Sequence, residues 1–450
     1  VSSAPSAADA DAARVDALSP LTLRNYRWEA VSAVFFPLAL ACVEGEVVGV
    51  VARKALGAGD LVVAAIAAAP TAALLSSLWW GRLVRRRDRA RLTVALQLGL
   101  IASVAGAALT PATAAGSLLL LLFVYAARVF ATGIIACRAD IWRTNYPRAV
   151  RARVAGRLTA IASLVVTLTG LALAAALDLV PQERTTFAFR AGYLAAATVS
   201  LLGVWAYSRV RWRRRRWLIR QEREHDDGQG ETFRLFAGAL DALRVLRDDR
   251  DYRAYLLAQF ILGLANIGLL APFILTLDEL GLPYSASIAL TQAVPLAVAL
   301  TVIPFWSRLL GRSHIVRFRA IQAWVFVLSS ALTCAGALTG SVLTLLAARV
   351  VWGVARGGGM IAWQIGHHDF APARLASLYM GAHVTLTGVR GLVAPFAATA
   401  LYSGAVVAVG GAAVRVPAIG GWVFALMALT SALGGAMFLR LDRAMRSRRA

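Results

Sequence analysis

Acidic side chains are scarce in this sequence of 450 residues. Twenty-four Asp and Glu stand against 47 Lys and Arg, a formal net charge of +23. Cysteine is scarcer, with three in the chain. Cys42, Cys137 and Cys334 all fall inside long apolar runs, which argues against a disulfide framework and against a cysteine metal cluster. The first 20 residues hold one base, Arg14, and no apolar core before Leu21, so they read as a disordered tail and not as a secretory signal. There is no glycine-rich phosphate loop, and no nucleophile, histidine and acid that spacing would bring together. The sequence therefore offers no enzyme chemistry and no ATP site, and no cofactor is expected. The alternating pattern of an outer-membrane barrel is also missing.

What the chain has in abundance is hydrocarbon: 59% of its residues are hydrophobic. A helix needs about 20 apolar residues to cross a bilayer. Twelve runs of that kind are readable, at 30–52, 60–84, 92–111, 117–138, 154–177, 189–209, 254–277, 285–310, 316–338, 342–365, 379–408 and 417–439. In lipid the backbone must satisfy its own hydrogen bonds, so these runs are helices.

The positive charge has a pattern. Arg82, Arg85, Arg86, Arg87, Arg89 and Arg91 lie between spans 2 and 3. Arg143, Arg148, Arg151, Arg153 and Arg157 lie between spans 4 and 5, and further groups follow spans 6, 8 and 12. The alternate loops carry few bases. This is the asymmetry that places basic loops on the cytoplasmic side, and it predicts a multi-pass protein of the inner membrane with both termini in the cytoplasm. The charge rule explains the bases, so nucleic acid is not an expected partner.

The longest connection, residues 210–252, opens with a basic cluster, RVRWRRRRW, that suits anionic lipid headgroups. Trp212 and Trp217 fit the membrane interface beside it. Phe233, Phe236, Leu240, Leu243 and Leu246 follow at spacings of three and four, which predicts an amphipathic helix lying on the membrane or on the neighbouring loops. On either side the sequence partly repeats. LWWGRLVRRRDRARLTVALQ (78–97) matches PFWSRLLGRSHIVRFRAIQ (304–322), and AARVFATG (126–133) matches AARVVWGV (347–354), which pairs Arg128 with Arg349. The organisation read from this is a tail at 1–27, a six-helix bundle at 28–209, the basic linker at 210–252, a second six-helix bundle at 253–440 and a basic tail at 441–450.

Twelve spans in two pseudo-symmetric bundles, internal termini and a long central connection resemble the major facilitator superfamily of secondary transporters. WGRLVRRRDRARL (80–92) is similar to the loop signature of that superfamily at Gly81, Leu83, Arg86 and Arg89. Arg85 stands where the signature has Asp, and Asp88 where it has its second Gly. The proline-glycine signature of antiporters in span 5 is missing, and the subfamily is not identified. The resemblance implies an all-α polytopic fold, a monomer and rocker-switch alternating access. It also implies a central cavity lined by spans 1, 4, 7 and 10 with 5, 8 and 11 beside it.

Charged residues within the spans are the candidate site. An Arg at mid-helix costs about 2.5–3.5 kcal/mol on insertion scales. Arg128, Arg349, Arg356 and Arg390 must therefore face protein, a carboxylate or water. By depth Arg349 matches Glu44, and the two are an expected pair; Arg128 is expected to hold a backbone carbonyl or a neighbouring helix. Glu44 and Glu46 would lie about 200° apart on a continuous helix. His383, Thr387 and Arg390 share one face of span 11. Under the resemblance, Arg349, Arg390 and Arg356 stack along one cavity wall. Gly357, Gly358 and Gly359 are expected to let span 10 bend or let a neighbour approach closely. His367, His368 and Asp369 lack the spacing of a metal site.

These residues predict a transporter for a small solute, anionic or carboxylate-bearing. Arg349, Arg356, Arg390 and Arg128 would bind it, with Glu44 and His383 as proton-coupling candidates. Arg82, Arg86, Asp140, Arg143, Asp369 and Arg374 are gating candidates. Two alternatives stay open. One is efflux of amphipathic compounds through a cavity lined by Trp352, Trp363, Phe273 and Phe305. The other is a transporter-like sensor or assembly factor.

Overall fold

The computed structural model describes residues 19–227, 244–372, 375–409 and 412–448. Among these, eleven helical segments are long and apolar enough to cross a membrane, and the shorter apolar segment Asp60–Ser76 lies where the second run was expected. The described residues are all-α apart from one small hairpin.

The first span is not one helix. It runs as α1 (Pro20–Phe35), α2 (Pro37–Ala41) and α3 (Gly45–Leu56). Pro37 has no N–H to give, which marks the first joint. The second joint, at Cys42–Glu44, is a true unwound turn. The second span divides in the same way, into α4 (Asp60–Ala72), a 3-10 turn at Ala73–Ser76 just after Pro70, and α5 (Ser77–Leu83). Long helices follow: α6 (Arg89–Ala108), α7 (Ala114–Asn145), α8 (Arg148–Asp178) and α9 (Thr185–Ser208). The linker helix α10 spans Arg215–Asp227. Next come α11 (Arg250–Gly268), α12 (Leu270–Glu279), α13 (Tyr284–Ile288), a π-helical turn at Ala289–Ala293, and α14 (Val294–Leu310). The last helices are α15 (Ile315–Thr339), α16 (Val342–Ile365), α17 (Ala376–Ser403) and α18 (Val423–Ser447). Local chemistry sets several ends. Asp88 accepts from the N–H groups of Ala90 and Arg91 to cap α6, Asp249 accepts from Tyr252 N to cap α11, and Gly340, with φ +66°, ends α15.

Span 11 was expected to run to residue 408, but its helix stops at Ser403. Strands β1 (Ala405–Val409) and β2 (Ala412–Val416) pair antiparallel, with Ala405 opposite Val416. Runs of Ala and Val read equally well as helix in lipid or as strand; four of the ten strand residues at 405–409 and 412–416 are Ala, so composition alone hid the change.

The chain forms two compact units, and they do not follow chain order. Unit 1 holds residues 1–44, 76–111 and 118–233; unit 2 holds 45–75, 112–117 and 234–450. The chain passes from unit 1 to unit 2 at the unwound turn before Gly45 and returns at the 3-10 turn that ends at Ser76. In unit 1, α9 packs on α1 and α6, and α8 packs on α1 and α2. In unit 2, α15 packs against α16 and α18, α14 packs against α16, α11 lies against α17 and α18, and α4 lies against α17. The α4–α17 contact is close: a Cβ at Gly388 would strike the Leu75 side chain, and one at Gly391 would strike Thr71. Unit 2 is also tied by charge around Asp278. Arg53 donates to Asp60 at 2.8 Å and to Asp278 at 2.7 Å, and Lys54 donates to the Leu282 carbonyl.

Geometry corrects the internal repeat by one helical turn. Trp80 donates its indole N–H to the Val129 carbonyl at 3.0 Å, and Trp306 does the same to Val354 at 2.7 Å. A Cβ at Gly133 would meet the Trp80 ring, and one at Gly358 would meet the Trp306 ring. The accepting carbonyls, Val129 and Val354, and the glycines, Gly133 and Gly358, are each 225 residues apart, whereas the AARV match sets Arg128 against Arg349 at 221. Arg128 therefore corresponds to Gly353, and the two arginines are not equivalent positions. The glycines of span 10 do not interrupt α16, which is one continuous helix; Gly357 and Gly358 admit the Ala299 carbonyl and the Trp306 ring of α14.

Candidate functional site

Glu44 sits on the unwound turn of the first span, and its partner is Arg128, not Arg349. The ion pair is 2.9 Å long. The unwinding also frees the Val43 carbonyl, which accepts from Arg128 Nε at 2.9 Å and Nη2 at 2.6 Å. One buried guanidinium thus satisfies both a carboxylate and an orphaned backbone oxygen, the arrangement that broken membrane helices require. The turn also overturns the expected 200° separation of Glu44 and Glu46, because no continuous helix connects them. Glu46, on α3 in unit 2, takes Arg356 at 3.4 Å.

Arg349 is buried in unit 2 with no carboxylate at ion-pair distance among the described residues. Its Nη2 donates to Thr333 Oγ1 at 3.1 Å, and its Nε has no acceptor. The guanidinium lies 4.2 Å from the centre of the Phe273 ring and 5.2 Å from that of Trp352. Cation–π attraction of this kind grows when the cation is desolvated, but it leaves the positive charge in place. Arg356 lies within electrostatic reach. The π-helical turn at Ala289–Ala293, which packs against α16, carries buried Gln292, whose Oε1 has no partner. Pi turns are frequent at functional sites, and nothing in the sequence marked this one.

Arg390 belongs to a second group. It crosses α11 at Gly263, where any Cβ would overlap its guanidinium. Its Nη1 donates to the Gln259 carbonyl at 2.6 Å and its Nη2 to Thr387 Oγ1 at 3.2 Å. The expected face of span 11 is thus assembled, with Thr387 in turn donating to the His383 carbonyl. Arg319, at the start of α15, lies within electrostatic reach of Arg390 and His383. Sequence reading passed over Arg319 because it stands among loop arginines, yet it is only 3% exposed. No contact joins Arg390 to Arg349 or Arg356 among the described residues, so the single wall of three arginines becomes two groups.

The gating candidates scatter. Asp140 accepts from Arg89 at 2.8 Å and from Arg143 at 3.3 Å. Arg89 also pairs with Glu222 of the linker helix α10, and Glu222 accepts from the backbone N–H of Arg86 at 2.9 Å. The carboxylate that Arg85 displaces from the loop signature thus has a counterpart on the linker. Among the described residues Asp369 does not meet a base; it accepts from the Ile315 N–H at 2.8 Å, an orphan donor at the start of α15. The side chains of Arg82 and Arg374 lie outside the described residues, as do residues 233–243 of the expected amphipathic helix. Trp212 is not at a lipid interface. It is buried, donates to Thr144 Oγ1 at 3.0 Å and lies under Arg89 at 4.7 Å. His367 lies just beyond span 10, and burial together with neighbouring His368 lowers its pKa below the usual imidazole value. At neutral pH it adds no charge to the cationic group.

The sequence matches the Major Facilitator Superfamily over residues 29–395. The chain belongs to that superfamily. No curated protein matches it. Among solved structures, a point mutant of the nucleoside transporter NupG superposes with a TM-score of 0.70 at 14% identity, over 94% of this chain and 99% of that one. A D-xylose–proton symporter gives 0.64 at 12% identity, over 92% and 96%. A peptide transporter, POT, bound to alafosfalin gives 0.64 at 13% identity, over 93% and 95%. At these identities the likeness establishes the fold. This superfamily member is therefore a multi-pass membrane transporter and not an enzyme.

Proposed function

We propose that this transporter moves a small anionic or carboxylate-bearing solute across the cytoplasmic membrane by alternating access. Both termini would be cytoplasmic, as the basic loops imply. The observation that carries the reading is the charge imbalance inside unit 2: Arg319, Arg349 and Arg390 are buried, while the one carboxylate among the paired mid-span groups there, Glu46, is already engaged with Arg356. Unpaired buried charge is costly, and a solute of opposite sign offsets that cost. Arg349 and Arg356 are the proposed solute contacts, with Arg390 as a further candidate. Of the aromatic residues that a cavity for amphipathic drugs would use, Phe273 and Trp352 flank Arg349, Trp363 lies 5.6 Å from the His383 ring, and Phe305 is 60% exposed.

Proton coupling is part of the proposal and rests on the Glu44–Arg128 pair. A proton on Glu44 would release Arg128 from the carboxylate while the Val43 carbonyl retains it. The protein is expected to act as a monomer, with anionic lipid at its basic loops.

Flux into proteoliposomes tests the reading. Panels of organic anions, neutral sugars or nucleosides, and organic cations should show accumulation of anions alone. Arg349→Gln should reduce that flux at least tenfold without loss of folded protein. Saturable flux of cations, or no flux from any panel, would reject the anionic assignment.

A further inference from the structure

The second cationic group in unit 2 has a feature that solute transport does not require. Arg319 Nη1 donates to Gln322 Oε1 at 2.8 Å, and Gln322 in turn donates to the Ala355 carbonyl at 2.7 Å, so the side chain is anchored. The other edge of the same guanidinium, Nε and Nη2, has no acceptor although both atoms are buried. These two nitrogens carry parallel N–H bonds and form the fork that grips two oxygens of one carboxylate or phosphate. Further donor positions in the group are also unused. Arg390 Nε and His383 Nε2 are buried without partners, and both residues lie within electrostatic reach of Arg319. The amide oxygen of Gln259, the residue whose carbonyl holds Arg390, is unpartnered as well. An amide that turned over would present N–H there instead. No carboxylate reaches any of these groups among the described residues. Native structures leave few buried donors unused, and here they gather around two cations.

We propose that Arg319, Arg390 and His383 form an anion-binding site within unit 2 that takes one oxyanion, held side-on by the Nε/Nη2 edge of Arg319. A two-oxygen ligand fits that edge, whereas a halide would engage it at one point. The inference goes beyond the transport reading and does not use Arg349. The oxyanion has two sources, a free inorganic ion or the carboxylate of an organic solute, and the test separates them.

The full-length protein in detergent is melted in sodium phosphate, in sodium acetate, and in sodium chloride matched for ionic strength. Phosphate or acetate should raise the wild-type midpoint saturably, by about 5 °C at full occupancy, above the chloride control. A response to phosphate alone identifies a free ion, and a response to acetate identifies a carboxylate. Arg319→Gln should abolish the response. In chloride this variant should also melt higher than wild type, because it removes a buried cation that lacks a counterion. Should Arg319→Gln fail to fold, Arg319→Lys keeps the charge without the fork and should need at least tenfold more oxyanion for half its effect. If oxyanions match chloride, or if Arg319→Gln melts lower in every buffer while keeping the response, the site does not exist. Loss of anion flux in proteoliposomes with this response intact would reject the transport reading alone.

Discussion

Arg128 and Arg349 carry the same group in related helices and solve burial by opposite means. Arg128 has a carboxylate and a freed carbonyl, so its charge is matched by Glu44 and its donors are used. Arg349 has two aromatic faces and one hydroxyl, so its donors are partly used and its charge is not matched. Breaking a buried pair by removing one partner costs about 3–5 kcal/mol, because the other charge is left alone. Glu44 is partly exposed, which reduces that figure. Glu44→Gln and Arg128→Gln should each destabilise the protein, and the double variant should recover part of the loss, with a coupling of roughly 1–3 kcal/mol in a thermal or denaturant cycle. Additive losses would mean that the pair is incidental. The candidate cations were legible one by one, because charge in an apolar run is conspicuous. Their partners were not, since depth along an assumed straight helix paired Arg349 with Glu44. The unwound turn that redirected Glu44 leaves no mark in composition. Arg319 was hidden for the opposite reason: an arginine among loop arginines looks solvated until a helix covers it.

At the scale of elements, close packing on glycine organises both units in the same way. The indole of Trp80 rests against Gly133 and that of Trp306 against Gly358, each ring also bonded to a carbonyl of the glycine-bearing helix. A methyl group at either glycine would come within 3 Å of the ring, and such overpacking costs about 1–3 kcal/mol. Gly133→Ala and Gly358→Ala should each lower the melting midpoint by several degrees, and pairing either with Trp→Phe at its partner should relieve part of the strain. Equal stability of the single variants would refute the contact. The repeat was visible in sequence at the tryptophans because Trp, with 12 in the chain, is rare enough to align. It slipped by a turn in spans 4 and 10 because Ala and Val recur too often to fix a register. Eleven of the twelve expected runs appear as long apolar helices, and the remaining one, at Asp60–Ser76, is shorter. The joints within spans 1 and 2 were not read, although Pro37, Gly45 and Pro70 stand beside them.

For the whole molecule, chain order and packing order differ. Residues 45–75 precede the linker by more than 130 positions, yet they fold with unit 2. A protease site placed within residues 228–243 would yield an amino-terminal fragment that carries two helices, α3 and α4, belonging to the other unit's core. After cleavage the fragments should copurify through detergent gel filtration as one species. Separation into two folded pieces would contradict the assignment of residues 45–75.

The broken turn at Cys42–Glu44 gives this crossing a mechanical character that a rigid rod lacks. The α-helical ladder gives way there to three bonds of 3-10 type, from the N–H groups of Cys42, Val43 and Glu44 to the carbonyls of Ala39, Leu40 and Ala41, a poorer geometry than that of the helix on either side. Arg128 grips both the carbonyl and the carboxylate beside that flexure and so acts as its bearing.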